Sequence, residues 1–322
     1  MNRDAGRVAV VCGGVGAARF LTGLVQVVDA DRIDAIVNTG DDTVLHGLSI
    51  SPDLDTITYT LAGAIDPERG WGLVDETWIT IGALERYESV RPAGSQAAAR
   101  WFGLGDQDLA THFYRTARLA EGATLTEVTV EIGRAWELPV RLVPMTDDRC
   151  STTVTLADTG EDVSFQDYFV RLRHSVPVAA VRFDGDAQLS AAASEALDGA
   201  ETIVIAPSNP LVSIGPIRSL PGTDEMLARR RDDVVAVSPI VGGAALKGPA
   251  DRMLDELGHE ASVVGVARIY APIAGALVID PVDAHLAEAV EREGLRCVVA
   301  PSIMSSPRIA RDLAAATLAA AH

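Results

Sequence analysis

Six short apolar runs in this chain carry no alternation of polar and apolar side chains. They are Arg7–Cys12, Ala35–Asn38, Thr202–Ala206, Val234–Ser238, Ala276–Asp280 and Arg296–Ala300, and each ends in a polar or glycine-rich turn. A strand with one wet face alternates, whereas a strand covered on both faces does not. Helical patterns lie between the runs, at Ala17–Val28, Leu189–Leu197, Thr223–Arg231, Asp251–Leu257 and Asp283–Glu293. Strand and helix in alternation imply an α/β protein with a doubly wound, mostly parallel, Rossmann-like sheet. The 322 residues are 48% hydrophobic, enough for a large core.

Residues 66–178 break that rhythm. All four tryptophans (Trp71, Trp78, Trp101, Trp136) fall there, with several helical stretches and then shorter, more polar strands near Arg141–Pro144, Thr152–Leu156 and Asp162–Phe165. The expected organisation is a nucleotide-binding core from 1–65 and 179–322, with 66–178 as an inserted α+β segment over the sheet edge. A net charge of -18, spread along the chain, argues against a nucleic-acid partner. The three cysteines, Cys12, Cys150 and Cys297, are far apart and have no zinc-site spacing. The first apolar run is too short for a signal peptide or a membrane span, so a cytoplasmic protein is expected.

RVAVVCGGVGAARFLTGL reads as a strand, a glycine turn and an amphipathic helix. Gly13, Gly14, Val15 and Gly16 permit close backbone approach, and the helix start offers free N–H groups to a phosphate. The turn is neither GxGxxG nor a Walker loop, and a plain βα turn reads equally well. Arg19 adds a charge to a phosphate site, or lies on the surface.

NTGDDTVLHGLSISPDLDTITYTLAG carries Asp41, Asp42, Asp53 and Asp55 at the carboxyl end of the second core strand. Paired carboxylates beside a phosphate site are hard oxygen ligands suited to Mg²⁺. Turn chemistry is the competing account, with Asp41 in an Asx turn and Asp55 capping a helix from Thr56. Two separated pairs on one connection, flanked by His46, favour function.

With these residues in view, the chain resembles the 2-phospho-lactate transferase family of coenzyme F420 biosynthesis. The resemblance rests on CGGVGAARFL (12–21), NTGDD (38–42), SPDLDT (51–56), RGWGLVDETW (69–78), FGLGDQDLATH (102–112), FQDYFVR (165–171), APSNPLVSIGPI (206–217) and VSPIVGGAALKGPAD (237–251). It implies a homodimer, Mg²⁺ dependence, a guanosine diphosphate donor esterified to lactate or enolpyruvate, and the acceptor 7,8-didemethyl-8-hydroxy-5-deazariboflavin (Fo). Similar actinobacterial proteins use the enolpyruvate donor. Two departures stand out: Gln107 occupies a position where relatives often carry Arg or Lys, and the first turn reads GGVGAAR, with Arg19 as its cation. A nucleotide-sugar-binding regulator of the same superfamily is the alternative; PDLDT and RGWG…ETW favour the transferase.

The implied reaction is attack of the terminal ribityl hydroxyl of Fo on the donor's β-phosphorus, with GMP leaving. On this reading Asp41 and Asp55 hold Mg²⁺, with Asp53 in reserve, and His46 or a carboxylate orients the hydroxyl. Asp42 and Thr56 complete that connection. Ser208, Asn209, Ser213, Ile214 and Gly215 join the glycine turn around the diphosphate half, and Lys247 is a further phosphate contact. Gly103, Asp106 and His112 face the acceptor, with Trp71, Trp78, Trp101 and Phe102 as its wall. Each tryptophan taken alone also fits a core position, and Asp106 also fits a cap on a Gln107–Arg115 helix.

Overall fold

The computed structural model describes residues 6–321. At its centre is a seven-stranded sheet. In chain order its strands are β1 (Val8–Cys12), β2 (Ile33–Val37), β3 (Arg141–Pro144), β4 (Thr202–Ile205), β5 (Val234–Val237), β6 (Ala276–Ile279) and β7 (Arg296–Val299). Across the sheet they run β7–β6–β5–β4–β1–β2–β3, every neighbouring pair parallel.

The missing alternation has its reason here. In β1, Ala9 and Val11 enter one core, while Val8, Val10 and Cys12 enter the other. Ile203, Ile205, Ala236 and Leu277 share the first core; Val204, Val235 and Val278 share the second. Each such side chain contributes about 1.5–3 kcal/mol on burial, so both faces need helical cover. Helices α1 (Gly14–Leu24) and α2 (Pro52–Leu61) cover the second face, with Phe20, Leu21, Leu54 and Ile57 buried. Helix α3 (Asp108–Ala120) belongs to the excursion described next, and the C-terminal α4 (Pro307–Ala319) packs beside α1.

Between β2 and β4 the chain leaves the sheet twice. Residues 66–140 form the short helices Ile79–Ala83 and Glu85–Glu88, then α3 and Leu125–Ala135. After β3 the chain builds an antiparallel sheet from Ser151–Leu156, Asp162–Ser164 and Val178–Asp184. The sequence pattern puts Arg141–Pro144 among the inserted strands and ends the insertion at 178; the structure differs in both. β3 pairs with β2 from Asp34↔Arg141 to Val37↔Pro144, and the last inserted strand continues to Asp184. β3 escapes the pattern because it is an edge strand, where a leading arginine and a closing proline are tolerated. No described helix is long and apolar enough to cross a membrane.

Candidate active site

A cleft of about 850 Å³ opens over the carboxyl ends of the central strands, lined by residues that follow β1, β2, β4, β5 and β7. Open α/β sheets bind ligands there, where strand order reverses; here that point is β1, with β2 on one side and β4 on the other.

The glycine bend forms one wall. Gly13 is extended and α1 begins at Gly14, whose φ of 71° suits glycine. A Cβ on Gly16 would lie 2.2 Å from the Pro207 carbonyl oxygen, so glycine lets α1 press against the turn after β4. Ser208 ties the two turns together: its Oγ accepts from the Gly13 N–H at 3.3 Å and donates to the Gly13 carbonyl at 2.8 Å. Gly13 has no side chain to cap α1; Asp53 accepts from the Gly14 N–H, and the following amides of the first turn remain available to an anion.

Asp41, Asp53 and Asp55 line the same cleft and are buried. The Asn38 amide donates to Asp41 Oδ1 at 3.3 Å and to Asp53 Oδ2 at 3.0 Å, joining the two carboxylates. Gln166 Nε2 donates to the Asp41 carbonyl at 3.1 Å and to its Oδ2 at 3.3 Å. Burial pushes Asp53 up to about 6, against the opposing hydrogen bonds from Asn38 and the Gly14 N–H. Burial also lifts Asp41 well above the usual carboxylate range, and the neighbouring Asp53 and Asp42 charges add to it. Among the described residues neither carboxylate has an ion-pair partner. Such a pair calls for protons or for a bound cation.

The cleft, its glycine bend and its carboxylates fall within a known family pattern. Residues 8–303 match the family model described as 2-phospho-L-lactate transferase CofD. The chain belongs to this family. Its curated relatives include proteins named phosphoenolpyruvate transferase. The one from Streptomyces griseus is 44% identical over 93% of both chains, and the one from Kitasatospora aureofaciens is 41% identical over 98% of both. The one from Mycobacterium tuberculosis is 39% identical over 95% of this chain and 96% of its own. A Bacillus halodurans protein of the UPF0052 family shares the fold at 14% identity, with a TM-score of 0.60 over 98% of this chain and 100% of its own.

Within this 2-phospho-L-lactate transferase fold, several expected site residues take other places. Asp55 gives both oxygens to the buried guanidinium of Arg115, Oδ2 to Nη1 at 3.2 Å and Oδ1 to Nη2. Asp53, rather than Asp55, therefore stands beside Asp41. Ligand atoms of Asp55, Asp108 and His112 lie within 4.8 Å of one another. Arg115 already supplies a cation to that group, so it suits a divalent ion less well than Asp41 and Asp53 do. α2 starts at Pro52 rather than Thr56, which puts Asp53 and Asp55 in its first turn instead of at its cap.

His46 does not line the cleft. It sits with φ 55° in the turn between Thr43–Leu45 and Leu48–Ile50, and its Nε2 lies 2.9 Å from the Ala99 carbonyl. Asp42 is half-buried, does not line the cleft and accepts from Ser51 Oγ at 2.6 Å. Asp106 accepts from Thr77 and from the N–H groups of Ile79 and Thr80. Those hydrogen bonds, the Thr77 hydroxyl foremost, lower its pKa; it serves the Ile79–Ala83 helix rather than α3 or the acceptor. Ile214 is in the core, and Gly215 packs against the Phe183 ring. Val15, Thr56, Gly103, His112, Ser208, Asn209 and Ser213 line the cleft. Asn209 Oδ1 is occupied by the Leu211 N–H at 2.9 Å.

Arg19 and Lys247 also line the cleft and have no ion-pair partner among the described residues. Partial burial lowers the Lys247 pKa, and the charge on Arg19 adds to this. Trp71 and Phe102 form part of an aromatic wall, but Trp78 only backs Trp71 edge-on at 5.9 Å, with Arg69 over both rings. Trp101 packs on Phe102, and Trp136 on Tyr59. Sequence reasoning missed Phe165 and Phe169, stacked at 5.4 Å in the cleft. Phe169 lies on a single π-helical turn, Asp167–Arg171, an irregularity frequent at functional sites.

Proposed function

We propose that this chain is a transferase that moves a phosphoenolpyruvyl or 2-phospholactyl group from a guanosine diphosphate-linked donor to Fo, releasing GMP and giving (dehydro) coenzyme F420-0. Family membership and the relatives' shared name support the reading. The observation that carries it is the meeting of Asp41 and Asp53 with the glycine bend in one cleft. In the reaction a terminal ribityl oxygen forms a bond to the β-phosphorus. The bond to the bridging oxygen breaks, GMP leaves with that electron pair, and the hydroxyl proton passes to solvent.

Mg²⁺ fits Asp41 and Asp53, which offer hard oxygens with no competing cation beside them. Bound there, it neutralises charge on the diphosphate. The chain's own groups do the positioning. Amides of the glycine bend receive the diphosphate, and Arg19 and Lys247 add positive charge on the open side. Asn38 and Gln166 hold the two carboxylates in place. Trp71, Phe102, Phe165 and Phe169 give a flat acceptor an apolar bed and keep water from it.

The test is a mass-spectrometric assay with purified protein, Mg²⁺, Fo and each guanosine donor in turn. The expected outcome is GMP plus one Fo adduct, with one donor strongly preferred. GDP binding without transfer from any donor would overturn the reading and leave a nucleotide-binding regulator in its place.

A further inference from the structure

A second polar group in the cleft is built around a donor with no partner. α3 carries Asp108, His112 and Arg115 at a spacing that sets them on one face, and all three are buried. Arg115 Nη1 lies 3.3 Å from His112 Nδ1. A guanidinium can only donate, so Nδ1 accepts and the ring proton sits on Nε2. Nε2 is 3.1 Å from Asp108 Oδ2 but lies off the hydrogen-bonding direction, and it has no hydrogen-bond partner. The other Asp108 oxygen accepts from the Tyr59 hydroxyl at 2.6 Å. Tyr59, Asp108 and His112 all line the cleft. A buried N–H without a partner is costly, and a cleft wall is where a ligand can complete it.

We infer that Asp108 and His112 form a hydroxyl-binding pair for the acceptor's sugar-alcohol chain. One alcohol accepts from His112 Nε2–H and donates to Asp108 Oδ2. Only a group that both donates and accepts satisfies the pair: a carbonyl would face the Asp108 carboxylate, and an N–H would face the Nε2 proton. The inference rests on the acceptor reading above, because the ribityl chain is the part of Fo that carries alcohols. Asp55 touches this group, its Oδ2 3.7 Å from His112 Nδ1, and stands two residues from Asp53 on α2. The hydroxyl site therefore lies beside the reacting end of the cleft.

The test is calorimetric titration of the full chain, with Mg²⁺ present, using three probes: Fo, GDP, and an Fo analogue whose ribityl chain is replaced by a methyl group. Asp108→Asn and His112→Phe are each expected to weaken Fo binding about ten- to hundredfold, the scale of losing a hydrogen bond to a charged or buried group. GDP and the methyl analogue are expected to bind both variants as they bind the wild type. Unchanged Fo affinity overturns the pair, and so does an equal loss for the methyl analogue, which would mark a structural role. If the wild type binds GDP but not Fo, the acceptor reading itself falls, and this inference with it. Tyr59→Phe, which deletes only a hydroxyl, guards against misfolding of the other variants. Its expected loss is about three- to tenfold for Fo and none for the methyl analogue, and unchanged Fo affinity again overturns the pair.

Discussion

Replacing Asp53 by asparagine separates what its carboxylate costs the metal-free protein from what it contributes to transfer. Burial raises this carboxyl from an ordinary 3.8 to about 6. That gap corresponds to about 3 kcal/mol. The sign follows from the direction. The folded chain holds the proton up to about pH 6, whereas the unfolded chain releases it near 4. The favourable contribution is thus complete below about pH 4 and lost as pH rises through about 6. At pH 7.5 the wild type carries an ionised, buried Asp53 with no cation beside it. The Asp53→Asn variant would not carry that charge, but an amide has one acceptor oxygen where the carboxylate uses two, for Asn38 and for the Gly14 N–H. Losing one such bond costs about 1 kcal/mol, leaving a net gain of about 2 kcal/mol. In a chain of this length that is a rise of roughly 2–6 °C in melting temperature. Scanning calorimetry in EDTA at pH 7.5 and pH 5, then with Mg²⁺, reads it out. The expected result is a variant that melts higher at pH 7.5, matches or falls below the wild type at pH 5, gains nothing from Mg²⁺ and transfers at least about a hundredfold more slowly. A variant that melts lower at pH 7.5, or that Mg²⁺ stabilises as much as the wild type, would refute the reasoning.

Three further changes test other parts of the site. Arg115→Met leaves the buried Asp55 carboxylate without its cation, and thermal or urea unfolding is expected to show a loss of about 3–5 kcal/mol. Gly16→Ala drives a methyl group into the Pro207 carbonyl; calorimetry should show destabilisation of about 1–3 kcal/mol together with weaker GDP binding. Lys247→Met removes a cation that has no acid partner among the described residues, so stability should stay within about 0.5 kcal/mol of the wild type. Its donor KM is expected to rise about tenfold and to become less sensitive to salt.

The fold was legible because its physics is local. A strand buried on both faces is apolar almost throughout, as β1, β4, β5 and β6 are, while β2 adds one buried acid, Asp34, which pairs with Arg7. Both edge strands meet weaker demands: β7 runs from an exposed Arg296 to an exposed Val299 yet keeps a short apolar run, whereas β3 closes on a proline and precedes the polar inserted strands, so that only its pairing with β2 reveals it. The glycine bend that walls the cleft was legible for a similar reason: Gly13, Gly14 and Gly16 mark a sharp βα turn whatever lies opposite. His46 misled because it is near the carboxylates in sequence. The His46–Gly47 pair, both at positive φ, is a tight hairpin turn that carries the side chain away from the cleft. That turn, rather than proximity, was the signal to read.

The ranking of the carboxylates was not legible, and the reason is long-range electrostatics. Asp53 and Asp55 share one helical turn and look equivalent in PDLDT. What separates them is Arg115, sixty residues further along the chain, which neutralises Asp55 and leaves Asp53 to Asn38. Among the described residues Arg115 is the only arginine in the buried class, so its destination decides which acid remains free for a cation. A trace of this did exist in the sequence. GDQDLATHFYR spaces Asp108, His112 and Arg115 at four and then three residues, so three polar side chains share the face that a helix normally gives to its core. Polar groups on such a face must satisfy one another or await a ligand. Here Arg115 meets Asp55 and His112, Tyr59 meets Asp108, and the His112 Nε2 proton is left for whatever enters the cleft.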